Sequence, residues 1–171
     1  AVKLEGGRNV VDVVAALTKA TIPVMGHIGL TPQSIAMLGG FKSQGRSLAA
    51  AETLIEDAKA LEEAGAVAIL LEAMPPEVAR IITARANIPV IGIGAGPYVH
   101  GQLLIVHDML GFFEAFTPKF VKKYADLNGA IRAALAEYIA DVTSGAFPAA
   151  EHCYKMQPGE AEALLAKYNI G

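Results

Sequence analysis

Residues 66–71, AVAILL, form an unbroken apolar run of strand length that stops at a carboxylate, Glu72. A run that is apolar at every position, rather than at alternate ones, expects cover on both faces, as strands of parallel sheets have. The same change from apolar to ionisable occurs at VKLEGG (residues 2–7), PVMGH (residues 23–27) and LLIVHDMLG (residues 103–111). Helical patterns lie between these runs. In residues 9–19, Val10, Val13, Val14 and Leu17 fall at i, i+3, i+4 and i+7, the stripe of a helix packed on a sheet. Residues 47–64 read as a helix closed by Gly65, and residues 76–86 as one opened by Pro76 with Val78, Ile81 and Ile82 inward. A helical turn is expected at residues 32–38, with Thr31 as its N-cap and Pro32 in its first position. Strands are expected at residues 2–5, 23–27, 66–72, 89–93 and 103–106, and their alternation with helices predicts a parallel α/β fold.

Ile-Pro-Val-x-Gly occurs at residues 22–26 and again at 88–92, a short hint of repeated β/α units. The chain begins directly on a strand, as a cut through a larger fold would. One domain is expected over residues 1–171, with a C-terminal helical extension from about residue 119 that includes helices near 128–144 and 158–168.

Composition excludes several classes of function. The chain has 171 residues, 53% of them hydrophobic, enough for a sizeable core. No apolar run approaches the roughly 18 residues that span a bilayer, and no signal-peptide pattern is visible, so no membrane partner is expected. A net charge of -3 with scattered Lys and Arg gives no footprint for nucleic acid. The single cysteine, Cys153, cannot form an internal disulfide, which suits a reducing compartment and predicts a cytoplasmic protein. A small-molecule ligand is the expected partner.

Catalytic groups in α/β folds sit at the carboxyl ends of strands, where the following loop reaches over a substrate. Residues 23–46, PVMGHIGLTPQSIAMLGGFKSQGR, have the small and polar residues of such a loop, and they place His27 at a strand end as a possible site wall. Strand parity puts Lys3 and Glu5 on one face and Val2 and Leu4 on the other. Lys3 then suits an anionic oxygen of a substrate and Glu5 a hard cation such as Mg²⁺; a structural ion pair is the alternative. Glu72 ends an apolar strand and is followed by Ala73, Met74, Pro75 and Pro76, which offer few donors. Such desolvation makes a carboxylate a better general base; the alternative is interaction with the dipole of the helix that starts at Pro76. His107 and Asp108 are read as site walls. No Cys/His spacing suggests zinc, and G-x-S-x-G is absent. GIGAG at residues 92–96 lacks the third glycine of a dinucleotide loop and suggests close backbone approach instead.

VKLEGG, PVMGHIGLTPQSIAMLGGFKSQGR, LLEAMPPEVARIIT, IPVIGIGAGPYVHGQLLIVHDMLG, PKFVKKYADL and SGAFPAAEH together resemble, in order and spacing, the 3-methyl-2-oxobutanoate (ketopantoate) hydroxymethyltransferase family, to about residue 154. The resemblance implies a (β/α)8 TIM barrel of the phosphoenolpyruvate-binding type, represented here by about its last five units plus C-terminal helices, and a homodecamer. It implies transfer of a hydroxymethyl group from 5,10-methylenetetrahydrofolate to 3-methyl-2-oxobutanoate through a Mg²⁺-stabilised enolate, giving 2-dehydropantoate for pantothenate synthesis. Position by position, it makes Lys3 substrate-binding, Glu5 part of the metal site and Glu72 the proton acceptor. Family members carry further β/α units before VKLEGG, with two aspartate metal ligands and a serine that touches substrate, so this chain alone is expected to be inactive. Another Mg²⁺-dependent lyase or mutase of the same superfamily should carry a K-K-C-G-H-type loop, which is absent. A non-catalytic assembly module should have lost Lys3, Glu5 and Glu72, which are present.

Overall fold

The computed structural model describes residues 1–34, 40–113 and 115–170, and they fall into two compact units, Ala1–Ala125 and Asp126–Gly171. The first unit is built on five parallel strands in sequential order, β1 (Val2–Glu5), β2 (Val24–Gly29), β3 (Ala68–Glu72), β4 (Val90–Ile93) and β5 (Gly101–Gln102). Its helices are α1 (Val11–Lys19), α2 (Leu48–Glu63), α3 (Pro76–Arg85) and the short α4 (Val106–Met109). The α/β class and the parallel sheet agree with the sequence reading.

The two copies of Ile-Pro-Val-x-Gly do the same job at β2 and β4. Each proline lacks an N–H, so it starts a strand by offering only its carbonyl: Pro23 O accepts from Val2 N–H, and Pro89 O from Ile69 N–H, both at 2.9 Å. The fourth residue after each isoleucine, Gly26 or Gly92, leaves room for Leu61 or Val99 to lie against the strand.

Parity divides the sheet into two faces. Val24, Ile28, Ile69, Leu71 and Val90 point to the side covered by helices, where they pack with Val14, Leu61, Val78 and Ile82 into one buried core. The helices are amphipathic for this purpose, and α2 is capped by the Ser47 hydroxyl, which accepts from Ala50 N–H at 3.2 Å. All four residues from Ala68 to Leu71 are buried, as the continuous apolar run requires. The opposite face carries Lys3, Glu5, His27 and Glu72.

The strand expected at residues 103–106 is a correction. Pairing with β4 is confined to Gly101 and Gln102, with one further bond from Leu103 N–H to Gly92 O, and Val106–Met109 is helical. Leu103, Ile105 and Val106 are 39–51% exposed, so no sheet interior demands an extended chain there. A short apolar run is compatible with either periodicity, and burial decides between them. At residues 32–38, Pro32–Ser34 forms a short helical turn with Ser34 N–H donating to the Thr31 carbonyl. The rest of that expected turn lies outside the described residues.

The second unit contains α5 (Asn128–Ser144) and α6 (Glu160–Tyr168). Gly145, at φ +78°, closes α5 in the left-handed conformation that glycine adopts without strain. Neither helix buries a residue.

The core assigns different costs to two leucines of the same region. Leu61→Ala, at a fully buried position, should lower stability by about 2–5 kcal/mol, whereas Leu48→Ala, 77% exposed, should change it by less than about 0.5 kcal/mol. Urea unfolding of both variants checks this; equal midpoints would contradict the packing described.

Candidate active site

The ladder register sets the geometry of the polar face. Glu5 on β1 lies beside His27 on β2, and Gly29 on β2 lies beside Glu72 on β3. These three strand ends therefore bring residues distant in sequence to one edge. Lys3 Nζ is 3.0 Å from His27 Nδ1 and 3.6 Å from Glu5 Oε1, and His27 Nδ1 is also 3.6 Å from Glu5 Oε1. On the far side of the ring, His27 Nε2 is 3.0 Å from Glu72 Oε2. That approach is close enough for an ion pair but out of line for a hydrogen bond, so Nε2 has no aligned partner among the described residues. His27 is 1% exposed, Glu5 and Glu72 are 11% and 15%, and Lys3 opens to solvent at 45%.

The backbone holds the Glu5 carboxylate and the turn that follows Glu72 in place. Gln33 N–H, in the loop after β2, donates to Glu5 Oε2 at 3.0 Å. Gln44 N–H, further along the same loop, donates to the Ala73 carbonyl at 2.9 Å, and Ala73 N–H donates to Ile93 O. The loop thus reaches across the ends of β1 and β3, as its composition predicted for residues 23–46. Arg8, just past β1, anchors that end from the other direction, donating through N–H and Nε to Asp57 Oδ1 at 3.1 and 2.9 Å. Ala73 holds φ +49°, a left-handed conformation that costs a non-glycine residue about 1–2 kcal/mol. It turns the chain sharply after Glu72.

A cavity of about 1090 Å³ opens beside Glu72. Leu30, Ala73 and Ile93 form its floor at the strand ends, Phe41, Phe113, Phe116 and Phe120 supply aromatic surface, and Lys42 and Lys119 supply amines. His107 and Asp108, read from sequence as site walls, line this cavity from α4 rather than from a strand end. Close approach to GIGAG is made by the chain itself: the Phe120 ring lies where a Cβ on Gly94 would be. Among the described residues, no group of three or more His, Cys, Asp or Glu side chains is placed to hold a metal ion.

Of the residues singled out in the sequence, Lys3, Glu5 and Glu72 are brought together, and His27 sits between the carboxylates. Sequence reasoning missed that central place. Parity could have found it, because His27 has the same orientation as Lys3 and Glu5 once β1 and β2 are paired.

An ionisable cluster on the sheet face opposite α1–α3, at the carboxyl ends of parallel strands and beside a cavity lined by aromatic rings, is the kind of place where α/β proteins bind small molecules. Residues 1–150 match the family model described as ketopantoate hydroxymethyltransferase, and the chain belongs to that family. It is 56% identical over 157 residues to the 3-methyl-2-oxobutanoate hydroxymethyltransferase of Syntrophomonas wolfei, covering 92% of this chain and 57% of the relative. The proteins of that name from Oleidesulfovibrio alaskensis and Dehalococcoides mccartyi are 59% and 58% identical over 94% and 96% of this chain, and 55% and 59% of their own lengths. The chain thus spans a little over half the length of these curated relatives. No helix among the described residues is long and apolar enough to cross a membrane.

Gly29 gives a direct test of how the site is held. It has φ +97°, and a Cβ there would run into the Glu72 carbonyl oxygen, which accepts from Leu30 N–H at 2.9 Å. Gly29→Ala should cost at least about 1–3 kcal/mol in urea unfolding through backbone strain alone. An unchanged midpoint would contradict the close approach of β2 and β3.

Proposed function

We propose that the protein carrying this sequence transfers a hydroxymethyl group from 5,10-methylenetetrahydrofolate to 3-methyl-2-oxobutanoate, giving 2-dehydropantoate for pantothenate and coenzyme A synthesis. The observation that carries this reading is the Lys3–Glu5–His27–Glu72 cluster on three adjacent strand ends, in a chain whose family match spans residues 1–150. In this reading the sheet is part of a (β/α)8 barrel of the phosphoenolpyruvate-binding type. The face that carries the cluster, opposite α1–α3, would be the barrel interior, which supports the assignment. A homodecameric assembly and a cytoplasmic location belong to the same proposal.

Glu72 acts as the base in this mechanism. Its carboxylate takes the C3 proton of the keto acid, and the C–H electron pair becomes the C2–C3 double bond of an enolate. Lys3 holds positive charge near the oxygen on which negative charge develops. Water adds to the one-carbon unit of the donor and both of that unit's bonds to folate nitrogens break, releasing tetrahydrofolate and formaldehyde; C3 then bonds to the formaldehyde carbon, whose C=O electron pair becomes an alkoxide that takes a proton to give the hydroxyl. The aromatic cavity beside Glu72, about 1090 Å³, exceeds the roughly 300–1,000 Å³ typical of small-molecule sites, which leaves room for a folate next to a short acid.

Glu5 suits Mg²⁺ as a hard oxygen ligand, and its Oε1 is free of backbone hydrogen bonds. It is one carboxylate, and no three donors gather among the described residues. This chain therefore contributes part of a magnesium site, and the other ligands come from elsewhere in the protein. When bound, the ion would neutralise charge on chelated substrate oxygens.

Deuterium exchange at C3 of 3-methyl-2-oxobutanoate, measured with tetrahydrofolate and Mg²⁺ on the complete protein, tests the base. Glu72→Gln should slow exchange by on the order of 10²- to 10⁴-fold. Wild-type exchange in that variant would remove Glu72 from the role.

The 171-residue chain by itself should form no 2-dehydropantoate, since it supplies a single carboxylate of the metal site. Mg²⁺-dependent product formation by the purified chain would refute this division of ligands.

A further inference from the structure

His27 has a role that neither the family match nor the proton-acceptor assignment gives it. Lys3 Nζ, 3.0 Å from Nδ1, is an ammonium with donors only, so Nδ1 must accept. A doubly protonated ring would set an N–H against that ammonium, and Glu5 Oε1, at 3.6 Å from Nδ1, is too far to hold a proton there by a hydrogen bond. Nε2 is therefore the ring atom left to carry a proton toward Glu72. That atom is buried, has no aligned partner among the described residues, and faces Glu72 Oε2 at 3.0 Å. A buried N–H left unpaired costs about 1–3 kcal/mol, and this one needs only rotation of the Glu72 carboxylate to be satisfied. The terminal torsion of a glutamate is broad, and hydrogen bonds of catalytic groups in ligand-free sites are often out of line until substrate binds.

We infer that His27 is a positioning residue: fixed as the Nε2–H tautomer by Lys3, it holds one oxygen of Glu72 and leaves the other aimed at the substrate proton. The inference rests on the proposed base role of Glu72. It also links the two cationic and anionic ends of the cluster, because Lys3, which meets the substrate, sets the tautomer that orients the base.

Two measurements test this. In ¹⁵N-histidine-labelled protein, the His27 signals, assigned by their loss in His27→Gln, should show an unprotonated Nδ1 and a protonated Nε2 at neutral pH, and Lys3→Met should let the other tautomer appear. An Nδ1–H tautomer or an imidazolium in the wild type would overturn the inference by itself. In C3 deuterium exchange on the complete protein, His27→Leu should lower kcat by on the order of 10²-fold with KM changed less than about twofold, as expected for a misplaced catalytic group. His27→Gln, which keeps a side-chain N–H donor, should recover most of that loss. Equal losses in the Gln and Leu variants, or a rise in KM with kcat unchanged, would overturn the positioning role. Wild-type exchange in Glu72→Gln would instead overturn the proposed function and leave the tautomer measurement to decide the geometry of His27.

Discussion

The register between β1, β2 and β3 is the constraint on which the rest depends. Side chains on a strand alternate with a period of two, so a one-residue slip of β2 would turn His27 into the helical core and bring Ile28 out among the charges. The slip is prevented by the core itself. Val24, Gly26 and Ile28 fit the helix side, where Leu61 occupies the space a Cβ on Gly26 would fill, and no shifted register keeps that fit. Burial of apolar groups on one face thus fixes charged groups on the other, and stability and site geometry come from one alignment.

The polar face has its own electrostatic balance. One ammonium stands against two carboxylates, with the His27 imidazole between them. Burying charge is costly unless it is paired and hydrogen-bonded, and the two carboxylates differ in this respect. Glu5 has a backbone N–H on one oxygen and the ammonium near the other. Among the described residues, Glu72 has the imidazole alone, out of line. The group with the fewest fixed partners is the one that opens on the aromatic cavity, which is where a group that must change partners during a reaction belongs.

Much of this could be read from the letters, and the parts that could not share a cause. Lys3, Glu5 and Glu72 were visible because parity and strand position are local: each needs only its own few neighbours in sequence. The helices on residues 9–19, 47–64 and 76–86 were visible for the same reason, since a periodic stripe over three turns is a strong signal. His27 was not, because its importance lies in pairing with β1 and β3, and a lone histidine at a strand end carries no local mark. The misassigned strand at 103–106 failed on burial: its apolar residues line an open edge and a cavity, a situation that hydropathy alone does not separate from a core. The glycines of residues 92–96 suggested close backbone approach to a ligand and instead admit the chain's own Val99, Phe120 and Pro76, contacts that no local pattern in the motif announces.

The loop after β2 adds a further level of order. Its Gln33 N–H fixes Glu5 and its Gln44 N–H fixes the carbonyl of strained Ala73, directly after Glu72. One segment thus fixes the Glu5 carboxylate and the turn that follows Glu72 through main-chain groups, which do not depend on the identity of the side chains beside them. A strained turn persists only when its surroundings over-determine it, and here the strain at Ala73 is held by bonds from both sides, Gln44 N–H to its carbonyl and its own N–H to Ile93. Preorganisation of this kind leaves little rearrangement of the backbone around Glu72, so the place from which the proposed base would act is a property of the fold, while its carboxylate keeps the freedom to rotate. It follows that the loop's sequence is constrained chiefly by backbone conformation, and that Gly29, which lets β2 pass so close to Glu72, is as much a part of the site as the side chains that carry charge.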